Sequence, residues 1–199
     1  MFTGIIAAVG EIAAIDLQEG QGTFRFATAK LDMAGVKLGD SIAVNGACLT
    51  VIELHDDGFS ADLSRETLDC TTLGERQVGE PLNFERALAL GDALGGHLVT
   101  GHVDGVGVVQ GLAADGDSLR LTIEAPAELA RYIAQKGSVC VDGTSLTVNA
   151  VDDAAFELMI VPHTQVETIV GGYELGTRVN IEVDMIARYL ERIVQYTGT

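Results

Sequence analysis

Short runs of apolar or alternating residues, separated by Gly and Asp, recur along the whole chain. In the first half they predict strands within 4–15, 23–29, 41–54, 59–63 and 81–87, and in the second half within 101–112, 118–124, 138–151, 156–161 and 177–183. Many short strands with Gly-rich turns favour small closed barrels, because closure removes exposed strand edges. Segment 127–135, after a proline, predicts a short helix, with 31–36 as its counterpart.

The two halves repeat each other at an offset of 97 residues. The stretch NGACLTV at 45–51 returns as DGTSLTV at 142–148, and 18 of the 87 pairs between 1–87 and 98–184 are identical. The identities cluster at glycines and turns, where backbone geometry tolerates little substitution. Two copies of this length predict two homologous domains, 1–96 and 97–184, with 87–96 as the link between them.

The hydrophobic period changes after residue 184. The stretch MIARYLERIVQY predicts a helix with one apolar face, formed by Met185, Ile186, Tyr189, Leu190, Ile193 and Val194. Such a helix either covers its own barrel or meets copies of itself. Segment 185–199 is therefore interpreted as a carboxyl-terminal helix that is a candidate for oligomerisation.

Composition narrows the functional classes. Hydrophobic residues make up 47% of the 199 and charged residues 21%, as in globular proteins. The net charge of -17 argues against nucleic-acid and membrane-surface roles, because phosphate backbones and anionic lipids are repelled. The three cysteines, Cys48, Cys70 and Cys140, are odd in number and show no CxxC spacing, which argues against a disulfide framework or a zinc site. With no signal peptide or membrane-spanning stretch, we expect a cytoplasmic protein.

The residues that differ between the copies are the candidates for chemistry. Cys48 aligns with Ser145, just past the tight turns that NG and DG predict, and such positions lie near a barrel mouth. A lone cysteine is either inert core or a nucleophile. The stretch GGHLVTGH holds His97 and His102, which are either hydrogen-bonded rim residues or catalytic. Their odd separation argues against a shared metal.

Matched polar positions add weaker signals. Thr50 aligns with Thr147, and such hydroxyls either suit strands or bind a polar ring or polyol. Lys136, where the first copy has Gly39, is either solvated or an anchor for an anionic or carbonyl group. No phosphate-loop, GxGxxG, HExxH or GxSxG pattern occurs.

The motifs MFTGI, NGACLTV, GGHLVTGHVDG, DGTSLTV and VNIEVD together resemble the riboflavin synthase alpha-chain family over essentially the whole chain. The resemblance implies an all-β fold: two tandem homologous six-stranded antiparallel Greek-key barrels, plus a carboxyl-terminal α-helix that holds a homotrimer together. It implies the last step of riboflavin biosynthesis, in which two molecules of 6,7-dimethyl-8-(1-D-ribityl)lumazine become riboflavin and 5-amino-6-(D-ribitylamino)uracil. It implies no metal or cofactor, and sites shared between neighbouring chains. Association with lumazine synthase is left open.

The resemblance also implies site residues. For catalysis it indicates His102 as the proton-transfer group, His97 and Cys48 as supporting or nucleophilic groups, and Ser41 as a polar residue of the same site. Substrate contacts expected in the first barrel are Gly4, Ile5, Ile6, Cys48, Leu49, Thr50, Asp62, Leu63, Ser64, Arg65, Glu66 and Thr67. Those expected in the second barrel are Gly101, His102, Val103, Lys136, Ser145, Leu146, Thr147, Val161, Pro162, His163, Thr164, Gln165 and Val166.

Two other classes compete with this interpretation. Non-catalytic lumazine-carrying antenna proteins share the duplicated barrel, but this chain keeps both histidines and Cys48, as a working enzyme should. A flavin-binding barrel of a ferredoxin-reductase-like oxidoreductase normally has an RxYS-type motif and a nucleotide-binding domain, and here the second half repeats the first instead. The second copy has HTQ at 163–165 where the first has ETL, so its ligand contacts are expected to differ.

Overall fold

Six antiparallel strands close into a barrel in the first half of the chain. The structure is a computed structural model that describes residues 1–18 and 20–197. The strands are β1 (Ala8–Gln18), β2 (Gln21–Ala27), β3 (Ser41–Val44), β4 (Ala47–His55), β5 (Gly58–Leu63) and β6 (Pro81–Arg86). They pair around the barrel in the order β1-β2-β5-β4-β3-β6.

A second barrel repeats the same arrangement. Its strands are β7 (Gly105–Asp115), β8 (Ser118–Glu124), β9 (Ser138–Val141), β10 (Thr144–Asp152), β11 (Ala155–Ile160) and β12 (Arg178–Val183). Each strand occupies the place of the strand six numbers earlier, so the two rings have the same order. The predicted fold class is confirmed. The predicted domain limits of 1–96 and 97–184 stay a prediction.

The two barrel cores use different residues at matched positions. Four buried phenylalanines fill the first core, with neighbouring ring centroids 5.2–6.3 Å apart: Phe24, Phe26, Phe59 and Phe84. The corresponding residues of the second core are Leu121, Ile123, Phe156 and Ile181, all buried. A core needs only apolar side chains of suitable total volume. The two barrels therefore keep the same fold although most of their core residues differ.

Buried side-chain amides join the barrels across a pseudo-two-fold relation. The Asn83 Nδ2 donates to the Asp142 carbonyl, and the Asn180 Nδ2 donates to the Asn45 carbonyl, both at 2.8 Å. Asn83 and Asn180 are 97 residues apart, as are their acceptors. Paired bonds between fully buried groups are costly to break, so the barrels form one packed unit.

Short helices follow the fifth strand of each barrel. Helices α1 (Arg65–Cys70) and α2 (Pro162–Glu167) were not predicted, because six residues carry too little periodicity. The helices predicted at 127–135 and 31–36 are wrong: the first is only a 3₁₀ turn at Ala130–Tyr132, and the second is made of turns. Helices this short are not stable without a packed face.

The carboxyl-terminal helix α3 (Met185–Thr197) lies on the second barrel through polar contacts. Its Arg188 guanidinium pairs with the Asp104 carboxylate at 2.8 Å, and Glu191 pairs with Arg131 at 2.7 Å. The exposed side includes Ile186, Tyr189, Leu190 and Tyr196. Residues 198–199 of the predicted 185–199 segment lie outside the described residues. Of the described helices, none has the length and apolarity to cross a bilayer.

Candidate functional site

Two short segments cross between the barrels, and we call them the first strap (residues 3–6) and the second strap (residues 100–103). The Gly4 carbonyl of the first strap accepts a hydrogen bond from Ser145 N at 2.7 Å. The Gly101 carbonyl of the second strap accepts one from Cys48 N at 2.8 Å. Each strap therefore lies against the strands of the opposite barrel.

This crossing shows which barrel each strap faces, while the ligand contacts of the strap residues stay a prediction. Gly4, Ile5 and Ile6 were assigned to the first barrel, yet Gly4 bonds to the second. Gly101, His102 and Val103 were assigned to the second barrel, yet Val103 packs on the first core. The physical reason is that the carbonyl of each strap glycine accepts from a main-chain N–H near the start of β4 or β10 in the opposite barrel, a long-range bond that no local pattern reveals.

Both straps need glycine at the crossing point. Gly4 has φ +75°, and a Cβ there would lie 2.5 Å from the Ser145 Cβ. Gly101 has φ +82°, and a Cβ there would lie 2.5 Å from the Cys48 Cβ. A side chain would be excluded by both the left-handed backbone and the close approach.

A buried carboxylate holds each strap. Glu85 accepts from Thr3 N at 2.7 Å, Thr3 Oγ1 at 2.6 Å and Gly4 N at 3.0 Å. Glu182 accepts from Thr100 N at 2.7 Å, Thr100 Oγ1 at 2.6 Å and Gly101 N at 2.9 Å. Burial raises the pKa of both carboxyls, while these hydrogen bonds act in the opposite direction.

The second strap covers a cleft of about 240 Å³ on the first barrel, which we call the first cleft. Its walls are Ala47, Cys48, Glu66, Thr67, Cys70, Thr71, Gly101, His102 and Val103. Two predicted catalytic residues, Cys48 and His102, thus share one cleft. The Cys70 thiol donates to the Glu66 carboxylate at 3.1 Å, which raises the pKa of that thiol. The cleft combines two thiols, an imidazole, a carboxylate and hydroxyls beside an apolar wall.

The matching place on the second barrel holds a different pair. His97 Nδ1 and Ser145 Oγ share a hydrogen bond of 2.6 Å. Burial lowers the pKa of His97, partly offset by the charge of Asp184, so its imidazole is neutral near pH 7. Within one chain, the structure places His97 beside Ser145, and Cys48 and His102 together in the first cleft. A single site that combines these residues from neighbouring chains stays a prediction.

Other expected residues surround the second-barrel position. Lys136 is exposed and has φ +66°, where the matched Gly39 has φ +89°. A non-glycine residue in this conformation is uncommon, and Lys136 is one of five among the described residues. The exposed residues on that side include Thr147, Val161, Pro162, His163 and Val166, while Leu146, Thr164 and Gln165 are half-buried.

The remaining first-barrel residues divide into four groups. Ser41 pairs with Thr50 in the β3–β4 register, next to the pair of Ala43 with Cys48, so it lies on the Cys48 face. Leu49 and Leu63 are buried in the core, so only their main chain can meet a ligand. Asp62 and Ser64 border a separate cavity of about 440 Å³ near the β1–β2 turn. Arg65 is exposed at the start of α1.

No single sequence motif points to the two glutamates that hold the straps, Glu85 and Glu182. A signal existed: Thr3, Gly4 and Glu85 are each identical to the residue 97 positions later. A carboxylate kept in both copies within a buried strand is costly to bury unless it has a fixed set of donors. Among the described residues, no three His, Cys, Asp or Glu side chains come together as a metal site.

Comparison with known proteins identifies the repeat. Residues 3–87 and 100–184 each match the family described as "Lumazine binding domain". The chain is 47% identical to riboflavin synthase of Photobacterium phosphoreum, over 98% of this chain and 89% of that protein. It is 45% identical to riboflavin synthase of Brucella abortus (98% and 99% covered) and 43% identical to that of Mycobacterium bovis (100% of both).

Solved structures with the same fold carry ligands of one chemical class. LumP complexed with 6,7-dimethyl-8-(1'-D-ribityl)lumazine matches with a TM-score of 0.83 at 26% identity, covering 92% of this chain and 99% of that one. LumP complexed with riboflavin matches with a TM-score of 0.85 at 27% identity and the same coverage.

Proposed function

The chain belongs to the riboflavin synthase family, and from that premise we propose how its two barrels carry out the reaction. The reaction converts two molecules of 6,7-dimethyl-8-(1-D-ribityl)lumazine into riboflavin and 5-amino-6-(D-ribitylamino)uracil. A four-carbon unit passes from one lumazine to the other, which makes the enzyme a transferase. The two substrates are identical, so the protein must give them unequal roles.

One observation carries the proposal: the barrels present the same scaffold with different side chains at the crossing points. Cys48 and His102 meet at the first cleft, and Ser145 and His97 meet at the matched place on the second barrel. Similar turns and hydroxyls bind the same ring system twice. The unlike side chains then assign donor and acceptor.

The chemistry needs a proton acceptor for the C7 methyl group of one lumazine and a nucleophile for the other. His102 is exposed over the first cleft, where it is placed to move that proton. Cys48, together with His97 and Ser145, supplies nucleophilic or supporting groups, and Ser41 adds a hydroxyl on the Cys48 face. Main-chain N–H groups and hydroxyls stabilise the lumazine anion that forms when the C7 methyl group loses its proton.

Holding two lumazines face to face contributes to the acceleration of the reaction over that in solution. A fixed orientation is worth at most about 7–11 kcal/mol relative to a free encounter. The first cleft is lined only by residues of the first barrel and the second strap. The family resemblance implies a site shared between neighbouring chains, and on that basis we propose that the reaction takes place between the first barrel of one chain and the second barrel of the next.

Such a site requires an oligomer, and we propose a homotrimer formed through α3. The exposed apolar side of α3 supports this, because a terminal apolar face gains free energy when copies cover it. Three free cysteines suit a reducing cytoplasm. Docking within a lumazine synthase assembly is a further proposal that rests on the family alone.

The test is to incubate the purified chain with the lumazine and follow riboflavin by its redshifted absorbance. Formation of riboflavin with an equal amount of the uracil product is expected. The likeness to LumP keeps one alternative, a carrier that binds the chromophore without changing it. Stoichiometric binding of unaltered lumazine with no riboflavin formed would favour that carrier.

A further inference from the structure

We propose that Glu85 and Glu182 are positioning residues, each of which holds one strap over the substrate site of the opposite barrel. The proposal rests on the proposed function and adds a long-range connection to it. Glu182 lies on β12 of the second barrel, and its strap covers the first cleft. Glu85 lies on β6 of the first barrel, and its strap meets Ser145 of the second.

Three hydrogen bonds connect Glu182 to the second strap, and they account for both of its carboxylate oxygens. Oε1 accepts from the amide and hydroxyl of Thr100, and Oε2 accepts from the Gly101 amide. An ionised carboxylate only accepts, so it suits three donors. A glutamine would direct its NH₂ group at one of these donors and lose at least one bond.

A relay extends from this carboxylate to His102. The Thr100 hydroxyl donates to Glu182 and accepts from His102 N at 3.3 Å. Next to it, the Gly101 carbonyl accepts from Cys48 N. The buried carboxylate therefore sets the position of the imidazole-bearing residue relative to the Cys48 strand.

The first strap is built in the same way. The Thr3 hydroxyl donates to Glu85 and accepts from Ile5 N at 3.2 Å, and the Gly4 carbonyl accepts from Ser145 N. The four residues Thr3, Gly4, Ile5 and Glu85 lie 97 positions before their counterparts in the second half of the chain, and Ser145 lies 97 positions after Cys48. If a glutamate only stabilised the fold, its loss would affect both barrels. If it positions a strap, its loss would affect only the site that this strap covers.

A site-specific accessibility measurement separates these roles. Ser145→Cys places a reporter thiol at the position that matches Cys48, so each barrel carries one reporter in the same protein. In this background, Glu182→Gln and Glu85→Gln are compared by the rate of iodoacetamide alkylation, with Cys70 and Cys140 resolved by peptide mass. We expect Glu182→Gln to accelerate alkylation at position 48 about 10- to 100-fold, and Glu85→Gln to do so at position 145.

Thr100→Val and Thr3→Val provide the same test if the glutamine variants do not fold. Each removes one hydroxyl at nearly constant volume, whereas Thr100→Ser and Thr3→Ser keep the relay. The valine variants should show the same crossed pattern, in which the reporter thiol of the opposite barrel is alkylated faster. The serine variants should restore the parental alkylation rate and turnover. Equal acceleration at both reporters, acceleration at the reporter of the glutamate's own barrel, or no acceleration would overturn the proposal.

The alkylation pattern needs no substrate. A parent chain that makes no riboflavin would defeat the proposed function and leave the alkylation result valid. A parent that makes riboflavin without the crossed pattern would defeat only the positioning role.

Discussion

Replacing Gly101 by alanine should damage both the fold and the first cleft. The new Cβ would meet the Cys48 Cβ at 2.5 Å and Phe2 Cε2 at 2.9 Å. The left-handed backbone alone costs about 1–2 kcal/mol for a residue with a Cβ. Forcing an extra methyl into a packed contact adds about 1–3 kcal/mol. The free energy of unfolding should therefore fall by about 2–5 kcal/mol.

Gly79→Ala is the matched control. Gly79 has φ +88°, and a Cβ there would meet nothing within 4 Å. Its substitution should cost only the backbone contribution, about 1–2 kcal/mol. The difference between the two variants isolates the contact between the second strap and Cys48.

Urea unfolding at one fixed chain concentration, followed by circular dichroism, measures both losses. Turnover of the lumazine reports whether the cleft keeps its geometry. If the alanine displaces the second strap by about 1 Å, Gly101→Ala is expected to lower the rate about 100-fold. Gly79→Ala should keep the parental turnover. Equal stability losses in the two variants, with parental turnover in Gly101→Ala, would refute the close approach on which the site depends.

Three further predictions concern proton transfer, assembly and pH. His102→Gln should lower turnover about 10²- to 10⁴-fold while riboflavin binding, measured by fluorescence quenching, persists; parental turnover at neutral pH would remove His102 from the mechanism. Leu190→Asp should give a monomer in analytical ultracentrifugation that binds riboflavin but does not turn over lumazine; an active monomer would contradict a shared site. Burial raises the pKa of Asp142 to about 6, although hydrogen bonds from Tyr173 and Asn180 lower it. Its folded pKa thus exceeds the unfolded value of about 3.9, and ionising it between pH 5 and 7 should remove about 1 kcal/mol of stability. Asp142→Asn should abolish this part of the pH dependence in urea unfolding, because Asn45 shows that an amide fits the matched turn; an unchanged slope would contradict the assigned pKa.

The strands were predictable because their signal is local. Alternating side chains and the NG and DG turns mark β3–β4 and β9–β10 directly, and the 97-residue offset shows that the second barrel repeats the first. The length of α3 was predictable for the same reason, since its apolar period runs over several turns.

The crossing of the straps was not predictable from one sequence. The bond between Gly4 and Ser145 joins residues far apart along the chain, and either barrel could accept the strap on periodicity alone. The separation of His97 from His102 follows from that crossing. Helix α1 was missed because six residues carry too little periodicity, although its cap, in which the Ser64 side chain accepts from Thr67 N at 3.1 Å, is a local signal.

Complementation between two blocked variants tests the shared site most directly. Thr50→Trp fills the outer face beside Cys48, and Thr147→Trp fills the matched face beside Ser145; both positions are exposed, so the cores are untouched. Each variant alone should be inactive. Co-expressed as mixed oligomers, they should recover about a quarter of parental turnover, because a quarter of the interfaces pair an open first barrel with an open second barrel. Mixed oligomers no more active than either variant alone would contradict the account.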